Sequence, residues 1–393
     1  MGSKPIGTVS ANQWRVAGNW QLTVNEDKAS RYHRLKRRAS VLSVGLTAVM
    51  LGGLVVSGAA VAFADAARRL SPGDGTGFPA LPIAAYVVML AVLHEALAFP
   101  VAFYYGFILD RRYGLSSESF VVWLRDHAKA VGLGLVLAIA GAESVCFALR
   151  VSPAWWWLLS AALFATAMCV MAMLAPVALL PLFYRFTPLG RESLRTRLIA
   201  LSQRAGIPVL GVYEWALGEK TRRANAALVG TGRTRRIIVS DTLLAEYSDD
   251  EIEVILAHEI GHHVHRDILV ALAAESVLLV IGFYAAALAL ALLWQPLGFH
   301  GAGDFAALPL LVLSGGALSV VSTPLINALS RRNERRADRY ALTLTQQPAA
   351  FISAMKRLGT QNLAEERPSR AVLWLFHTHP PVEQRINAAR SFQ

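Results

Sequence analysis

The stretch LAHEIGHHVHR, residues 256–266, carries four histidines within eight positions: His258, His262, His263 and His265. His258 and His262 are four residues apart, so in a helix their imidazoles share one face and can converge on one ion. Glu259 follows His258 directly and can reach a water molecule held in such a site. This HExxH arrangement suits Zn²⁺, with the carboxylate serving as a general base.

The other two histidines do not fit the same ion. At about 1.5 Å of rise per residue, His265 lies some 10 Å along the helix from His258, and metal–ligand bonds are near roughly 2.1 Å. His263 points about 100° away from His262 around the helix axis. We therefore predict that neither His263 nor His265 is a metal ligand.

A third ligand has to come from another part of the chain. The stretch NALSRRNERRADRYA, residues 327–341, continues the helical pattern of an apolar segment and places Glu334 and Asp338 on one face. One of the two carboxylates can complete a site of two histidines and one glutamate, and the other can orient a ligand imidazole. The alternative for this stretch is a solvated face, which would include Arg331, Arg332, Arg335 and Arg336.

The composition is that of a membrane protein. Of 393 residues, 54% are hydrophobic and 17% are charged, whereas soluble proteins carry about 25% charged residues. A helix needs about 20 mostly apolar residues to cross a bilayer. The segments that qualify are roughly 41–66, 82–108, 130–149, 155–184, 268–295 and 307–328.

The net charge of +11 is a topology signal. Lysines and arginines cluster before the first predicted span, between spans two and three, and after spans four and six, while the alternate loops carry few. Under the positive-inside rule both termini and segment 185–266 are cytoplasmic. The distribution predicts a lipid bilayer as partner and argues against nucleic acid. Cys146 and Cys169 fall inside predicted spans, so no disulfide framework is expected.

Two polar pieces lie outside the predicted spans, and the antiparallel span pair between them would bring them side by side. The first piece predicts a helix in 188–209, a strand in 209–216 and a hairpin in 224–241 that turns at Gly230–Gly232. A capping box of Ser248 and Glu251 then starts the histidine helix. The predicted organisation is an N-terminal tail 1–40, four spans in 41–184 with a cytoplasmic loop 110–129, a first domain half 185–266, a span pair 267–329 and a second domain half 330–393.

Four ionisable residues fall within the predicted spans: His94, Glu95, Glu143 and Glu275. Such groups are costly in a bilayer unless they face a cavity or a partner. Two interpretations stay open, that they line a water-filled chamber or that they pair locally.

The sequence resembles the membrane-embedded zinc metallopeptidases of the type I CAAX prenyl protease group, the a-factor-converting enzymes, from about residue 82 to 388. The resemblance rests on several ordered motifs rather than on one. They are GFILDRRYGLSSESF, RFTPLG, ANAALVG, RRIIVSDTLL, AHEIGH, LSRRNERRAD and HTHPPVEQRI. It implies a ring of helices around an intramembrane chamber. The expected fold class is therefore an α-helical polytopic membrane protein of about six spans, with a split cytoplasmic α+β metalloprotease domain.

The resemblance also implies the roles of individual site residues. His258, His262 and Glu334 would hold one zinc ion per chain, and Asp338 would be a partner of the ligands outside the metal site. Glu259 would be the catalytic base. Asn225, His379 and Arg385 would hold the substrate backbone and the developing oxyanion. Eukaryotic members have seven spans, so one span is expected to be missing here.

The expected function is a zinc endopeptidase that cleaves peptides or membrane-associated proteins at the cytoplasmic face of a bacterial inner membrane. Bacteria generally lack protein prenylation, so a prenylated substrate is not assured. The alternatives are a broad quality-control metalloprotease of membrane proteins and a non-catalytic chamber protein stabilised by zinc. Glu259 argues against the last, because a purely structural site needs no base beside the metal.

Overall fold

Helices form most of the chain. The computed structural model describes residues 11–70, 80–230 and 232–392, with side chains from residue 28 onward except that of residue 233. Of the predicted tail 1–40, residues 1–10 lie outside the described residues and the rest belongs to the first helix. The helices are α1 (Ala11–Val56), α2 (Ala59–Leu70), α3 (Ala80–Phe103), α4 (Leu109–Arg112), α5 (Phe120–Val151), α6 (Trp156–Leu174), α7 (Leu180–Phe183), α8 (Glu192–Arg204), α9 (Asp241–Glu246), α10 (Asp249–Val264), α11 (Asp267–Leu293), α12 (Leu308–Thr345), α13 (Pro348–Gln361), α14 (Arg370–Phe376) and α15 (Val382–Arg390).

Within the described residues, six helical segments are long and apolar enough to cross a membrane, as predicted. They are Lys28–Val56, Ala80–Arg112, Phe120–Val151, Trp156–Phe183, Asp267–Leu293 and Phe305–Thr345. The bounds of the first differ from the predicted 41–66. The helix ends at Val56, ahead of Gly58 with φ +75°, and residues 59–70 form the separate helix α2. A residue with positive φ cannot continue a right-handed helix.

These six segments form a closed ring. Around it, α1 packs on α3, α3 on α5, α5 on α6, α6 on α11, α11 on α12, and α12 returns to α1. The ring encloses a cavity of about 840 Å³ to which all six helices contribute lining residues. The predicted arrangement of spans around a chamber is thereby confirmed.

The four ionisable residues in the spans divide between the two interpretations. His94 and Glu275 line the cavity, while Glu95 and Glu143 are not among its lining residues. Glu95 pairs locally, because its Oε1 lies 2.7 Å from Nε2 of His127 on α5. One carboxylate oxygen of Glu143 is buried and has no hydrogen-bond partner among the described residues.

A four-stranded sheet lies outside the ring. Its strands are β1 (Phe186–Pro188), β2 (Val212–Trp215), β3 (Ala226–Val229) and β4 (Arg236–Ser240), in the order β1-β2-β4-β3. The predicted hairpin is β3 and β4, which pair antiparallel and are joined through Gly230 at φ +85° and Gly232 at φ +54°. Positive φ is favourable mainly for glycine. The order leaves one long side of β3 as the edge of the sheet.

The two polar pieces share one hydrophobic core. Side chains from 185–266 and from 330–393 pack together beneath the sheet and are fully or almost fully buried. They include Leu194, Leu198, Ile237, Val239, Ile252, Leu256, Ile260, Ala341, Phe351, Met355 and Ile386. Burial of a large apolar side chain contributes roughly 1.5–3 kcal/mol, so the shared core couples the stability of the two pieces.

The first turn of α10 is fixed by its own sequence and by the second piece. Ser248 Oγ accepts from the backbone N–H of Glu251, and Glu251 Oε2 accepts from the backbone N–H of Ser248 at 2.9 Å, so the predicted capping box is present. The same carboxylate accepts from Ser353 Oγ at 2.6 Å and Arg357 Nη1 at 3.1 Å, both on α13. A loss of this cap would therefore also loosen the contact between the two pieces.

α10 and α12 pack closely because of Gly261. A Cβ placed there would lie 3.1 Å from Cα of Ala337 and 3.3 Å from Cδ1 of Tyr340. α12 is one helix that runs from the ring into the α+β unit and brings residues 334–338 beside α10.

We expect Gly261→Val to force α10 and α12 apart, because the added side chain meets backbone that cannot rotate away. Overpacking of this kind costs about 1–3 kcal/mol. The check is thermal unfolding of the purified protein in detergent. The matched control is Gly316→Val, which lies within α12 and has nothing within 4 Å of its Cβ position. Equal unfolding temperatures for the two variants would contradict the close-packing explanation.

Candidate metal centre

The two histidines of the sequence motif converge at the buried side of α10. His258 and His262 lie one turn apart, with ring centroids 4.8 Å from each other and planes nearly perpendicular. Their Nε2 atoms are 3.2 Å apart. Both rings therefore present the same nitrogen to one point in space.

Glu334 of α12 faces these two nitrogens. Its Oε2 lies 3.3 Å from His258 Nε2 and its Oε1 lies 3.4 Å from His262 Nε2. One donor atom from each of the three side chains lies within 4.8 Å of the others. The Glu334 carboxylate is buried, and its Oε2 also lies 2.9 Å from Nδ1 of His379. A buried carboxylate opposite two imidazole nitrogens is a donor set that fits a metal cation.

The remaining nitrogen of each imidazole is held by a carboxylate. His258 Nδ1 lies 2.9 Å from Oδ1 of Asp338, as the position of Asp338 on α12 suggested. His262 Nδ1 lies 2.8 Å from Oδ2 of Asp267. These contacts fix the ring orientation and leave both Nε2 atoms facing inward, which is the usual arrangement behind metal-bound histidines.

Asp267 was not found from the sequence. It follows the histidine helix directly, and Arg266 at φ +57° turns the chain so that α11 begins with the aspartate beside His262. Arg336 of α12 hydrogen bonds to the other oxygen of Asp267. The acidic residue right after the HExxH helix was the available signal, but its meaning depends on a left-handed residue that no spacing rule reveals.

The carboxylates around His258 and His262 favour a positive charge at this site. Burial lowers the pKa of His258, but Asp338 and Glu334 outweigh this effect and raise it to about 9. Burial and Glu334 act on His262 in the same opposing way, and its pKa is also raised. Without a metal, His258 thus carries a proton at neutral pH. A metal cation would take the place of that charge, since only neutral imidazole binds metal.

Glu259 has the surroundings of a proton acceptor. It is half-buried next to His258, and burial raises its pKa although the two histidines act in the opposite direction. A carboxylate with a raised pKa is a stronger base and accepts a proton more readily than an ordinary one.

His379 and Arg385 reach the same centre from the C-terminal segment. Nδ1 of His379 lies 2.9 Å from Oε2 of Glu334, and its side chain is 63% exposed. Arg385 instead donates from Nε and Nη2 to the two oxygens of Asp338, at 2.9 and 2.5 Å, and lies 4.0 Å from Glu334. His379 therefore faces the open side of the centre, and Arg385 lies behind the ligands.

Arg331 positions the loop that carries His379. It is buried, and its Nη1 donates to the carbonyls of Leu373 at 2.9 Å and His377 at 2.6 Å. The solvated-face interpretation of this helix is correct for the exposed Arg332 and Arg335. It is wrong for Arg331, which contacts the loop that carries His379, and for Arg336, which contacts Asp267.

Asn225 stands immediately before the edge strand β3 and is exposed. Its backbone N–H donates to Ser240 Oγ at 3.0 Å and its carbonyl accepts from the Ser240 N–H at 2.9 Å. The N–H of the preceding Ala224 donates to Asn362 Oδ1 at 3.2 Å, and its carbonyl accepts from Asn362 Nδ2 at 3.3 Å. The backbone of Asn225 is thus fixed while its side chain stays accessible.

The other two histidines of the motif are directed elsewhere. His263 Nε2 donates to the carbonyl of Leu228 in β3 at 2.8 Å, and burial lowers its pKa. His265 Nδ1 bonds to the carbonyl of Gly261 at 2.7 Å and its ring contacts Tyr340 edge-on. Neither ring belongs to the three-residue donor group.

Comparison with known proteins agrees with this geometry. Residues 188–393 match the model of Peptidase family M48. Residues 23–185 match the model described as CAAX prenyl protease N-terminal, five membrane helices. Within the described residues this second region holds four candidate spans.

Similar proteins come from bacteria and eukaryotes. "Uncharacterized metalloprotease YhfN" of Bacillus subtilis (strain 168) is 27% identical over 365 residues, which cover 92% of this chain and 84% of the relative. "CAAX prenyl protease 1" of Saccharomyces cerevisiae is 24% identical over 324 residues, covering 77% and 71%. The crystal structure of S. mikatae Ste24p has a TM-score of 0.80 at 19% identity and covers 93% of this chain and 89% of that one.

The family resemblance expected from the motifs is thereby confirmed, and the structural match establishes the fold. The six apolar segments and the N-terminal model make the chain an integral membrane protein whose relatives act on peptides or proteins. The chain therefore belongs to Peptidase family M48, a family of metalloproteases.

Proposed function

We propose that this protein is a zinc-dependent endopeptidase that hydrolyses peptide bonds of peptides or membrane-associated proteins. The observation that carries the proposal is the convergence of His258 Nε2, His262 Nε2 and the Glu334 carboxylate beside the half-buried Glu259. A structural metal site needs ligands but no free carboxylate next to them. The presence of Glu259 therefore favours catalysis over a purely stabilising ion.

The donor set fits one zinc ion per chain. Two imidazole nitrogens and one carboxylate oxygen match the preference of Zn²⁺, while Mg²⁺ and Ca²⁺ prefer oxygen ligands alone. Asp338 and Asp267 hold the imidazoles by their other nitrogens. When bound, zinc would supply Lewis acidity that polarises the scissile carbonyl and makes a water molecule more acidic.

The chain's own residues perform the proton transfers and the positioning. In this proposal Glu259 removes the proton of the attacking water and then delivers it to the leaving amine. His379, exposed at the open side of the centre, donates a hydrogen bond to the oxyanion that develops at the carbonyl. Arg385 acts through Asp338 and His258, to which its guanidinium is adjacent.

The substrate is proposed to bind as an extended segment along β3. An edge strand offers unpaired main-chain groups to a guest peptide, and the exposed Asn225 stands at the beginning of this edge. This mode reads backbone rather than a particular side chain. The proposal does not extend to prenylated substrates.

The distribution of basic residues supports a cytoplasmic active site in a bacterial inner membrane. Exposed arginines stand where α12 joins the α+β unit, including Arg332, Arg335 and Arg339. Positive charge is retained on the cytoplasmic side of membrane helices. Both chain termini are proposed to lie on that same side.

Glu259→Gln should abolish hydrolysis while zinc remains bound, because the amide keeps the shape of the side chain but cannot accept a proton. Loss of a general base lowers kcat by about 10²–10⁴-fold. Cleavage of a labelled casein and zinc content by atomic absorption provide the two measurements. Glu246→Gln, on an exposed glutamate of α9, is the control. Full activity of Glu259→Gln would refute the mechanism.

Glu334→Ala should lower zinc occupancy, whereas His265→Ala should leave it unchanged. The first variant removes a donor from the convergent set, and the second removes a ring that bonds to a carbonyl of its own helix. Zinc per chain is measured after dialysis against a weak chelator. Loss of zinc in His265→Ala with retention in Glu334→Ala would reverse the ligand assignment.

Asp267→Asn should weaken zinc binding by about 10–100-fold, the range found for residues that hold a ligand histidine. The amide can still accept from His262 Nδ1 but no longer increases the basicity of the ring. Competition with a fluorescent zinc chelator measures the affinity. Asp249→Asn, which removes a surface ion pair with Arg191, serves as control and should bind zinc as the wild type does.

A further inference from the structure

The hydrogen-bonding direction of β3 shows which of its residues face the free edge. The N–H of Ser240 donates to the carbonyl of Asn225, so the backbone hydrogen-bonding groups of Asn225 face β4. In an antiparallel pair successive residues alternate between the partner strand and the opposite side. The backbone N–H and C=O groups of Ala227 and Val229 therefore also face β4. Ala226 and Leu228 turn their N–H and C=O groups to the unpaired edge.

One of these four edge groups is already occupied. The Leu228 carbonyl accepts the hydrogen bond from His263 Nε2 at 2.8 Å. Three groups have no partner among the described residues and remain for a guest strand, namely the N–H and C=O of Ala226 and the N–H of Leu228. A guest peptide can therefore form one hydrogen bond fewer with β3, because the Leu228 carbonyl is not available as an acceptor.

The cap comes from the helix that carries the metal ligands. His263 follows His262 in α10, and α10 packs against β3 beneath the sheet. The end of the usable edge is therefore held at a fixed position relative to the two imidazoles. A two-residue shift of a peptide along an open edge would preserve its hydrogen-bond pattern, but past a capped carbonyl it loses a bond.

We propose that His263 is a specificity-determining residue that sets the register of the substrate by capping the Leu228 carbonyl. It restricts a bound segment to three main-chain hydrogen bonds with β3 and so fixes which peptide bond meets the centre. The inference rests on the proposed binding of substrate at this edge. The chemistry needed at position 263 is one hydrogen-bond donor of suitable reach, which glutamine also supplies and alanine does not.

The test is a scan of backbone N-methylation on a bound peptide. The probe is a fluorescein-labelled decapeptide of small residues with a single phenylalanine to anchor it, methylated at one amide at a time. Binding is measured by fluorescence anisotropy on the zinc-loaded full chain in detergent, in the Glu259→Gln background, so that no cleavage occurs. Position 263 is histidine, glutamine or alanine.

With histidine or glutamine at 263, methylation should weaken binding at one amide, the donor to the Ala226 carbonyl. In His263→Ala a second sensitive amide should appear two residues away, because the Leu228 carbonyl becomes available. Each lost hydrogen bond should weaken binding by roughly threefold to tenfold. Zinc content of each variant checks that the centre is intact.

Three results would overturn the proposal. They are an unchanged scan in His263→Ala, a His263→Gln scan that matches alanine, and no peptide binding in any variant. Hydrolysis by the chain with Glu259 intact is assayed separately. The expected scan without hydrolysis would leave the cap standing and refute the proposed function, while hydrolysis with an unchanged scan would refute the cap alone.

Discussion

The close approach of α10 to α12 is the contact on which the centre depends. Gly261 lets the backbone of α12 approach until Glu334 lies 3.3–3.4 Å from the two imidazole nitrogens. The same contact brings Asp338 behind His258. Because an imidazole and a carboxylate have short reach, a displacement of either helix by one side-chain layer would separate the donors. Packing of small residues is thus what gives this buried polar cluster its geometry.

The cluster is expensive to bury and is compensated by its own pairing. Isolated charges in a protein interior cost several kcal/mol, and each ionisable group here faces an opposite charge or a donor. Asp338 is paired by Arg385 and Asp267 by Arg336. The Glu334 carboxylate faces the imidazoles of His258, His262 and His379, and a cation bound there would compensate its charge. Stability and metal binding are therefore coupled through this carboxylate.

The sequence was sufficient for what depends on local pattern. The six spans, the capping box of Ser248 and Glu251, the hairpin and the membership of a known family all follow from hydropathy, spacing and ordered motifs. The ligand and substrate assignments remain predictions with which the geometry is compatible. Asp267, Asn362 and the buried Arg331 were missed, because each acts through a partner distant in sequence or through a turn such as Arg266. The end of the first span was also misplaced, since Gly58 interrupts a segment whose hydropathy continues.

The ring of spans holds two kinds of ionisable residue, and the pattern alone could not separate them. His94 and Glu275 face the cavity, whereas Glu95 has its partner His127 on the next helix. Hydropathy records that a charge lies within a span but not the direction in which it points. The distinction requires knowing that α3 lies between α1 and α5, which is a property of the closed ring.

α12 is one helix from the ring to the centre. The donor set is therefore assembled in a fixed order during biosynthesis. A ribosome delivers His258 and His262 well before Glu334, and the hairpin of α11 and α12 must insert into the bilayer before the two can meet. A chain stalled or misinserted at that hairpin has the HExxH helix but lacks the third donor. The centre of a newly made chain is therefore complete only once α12 has been synthesised and lies beside α10.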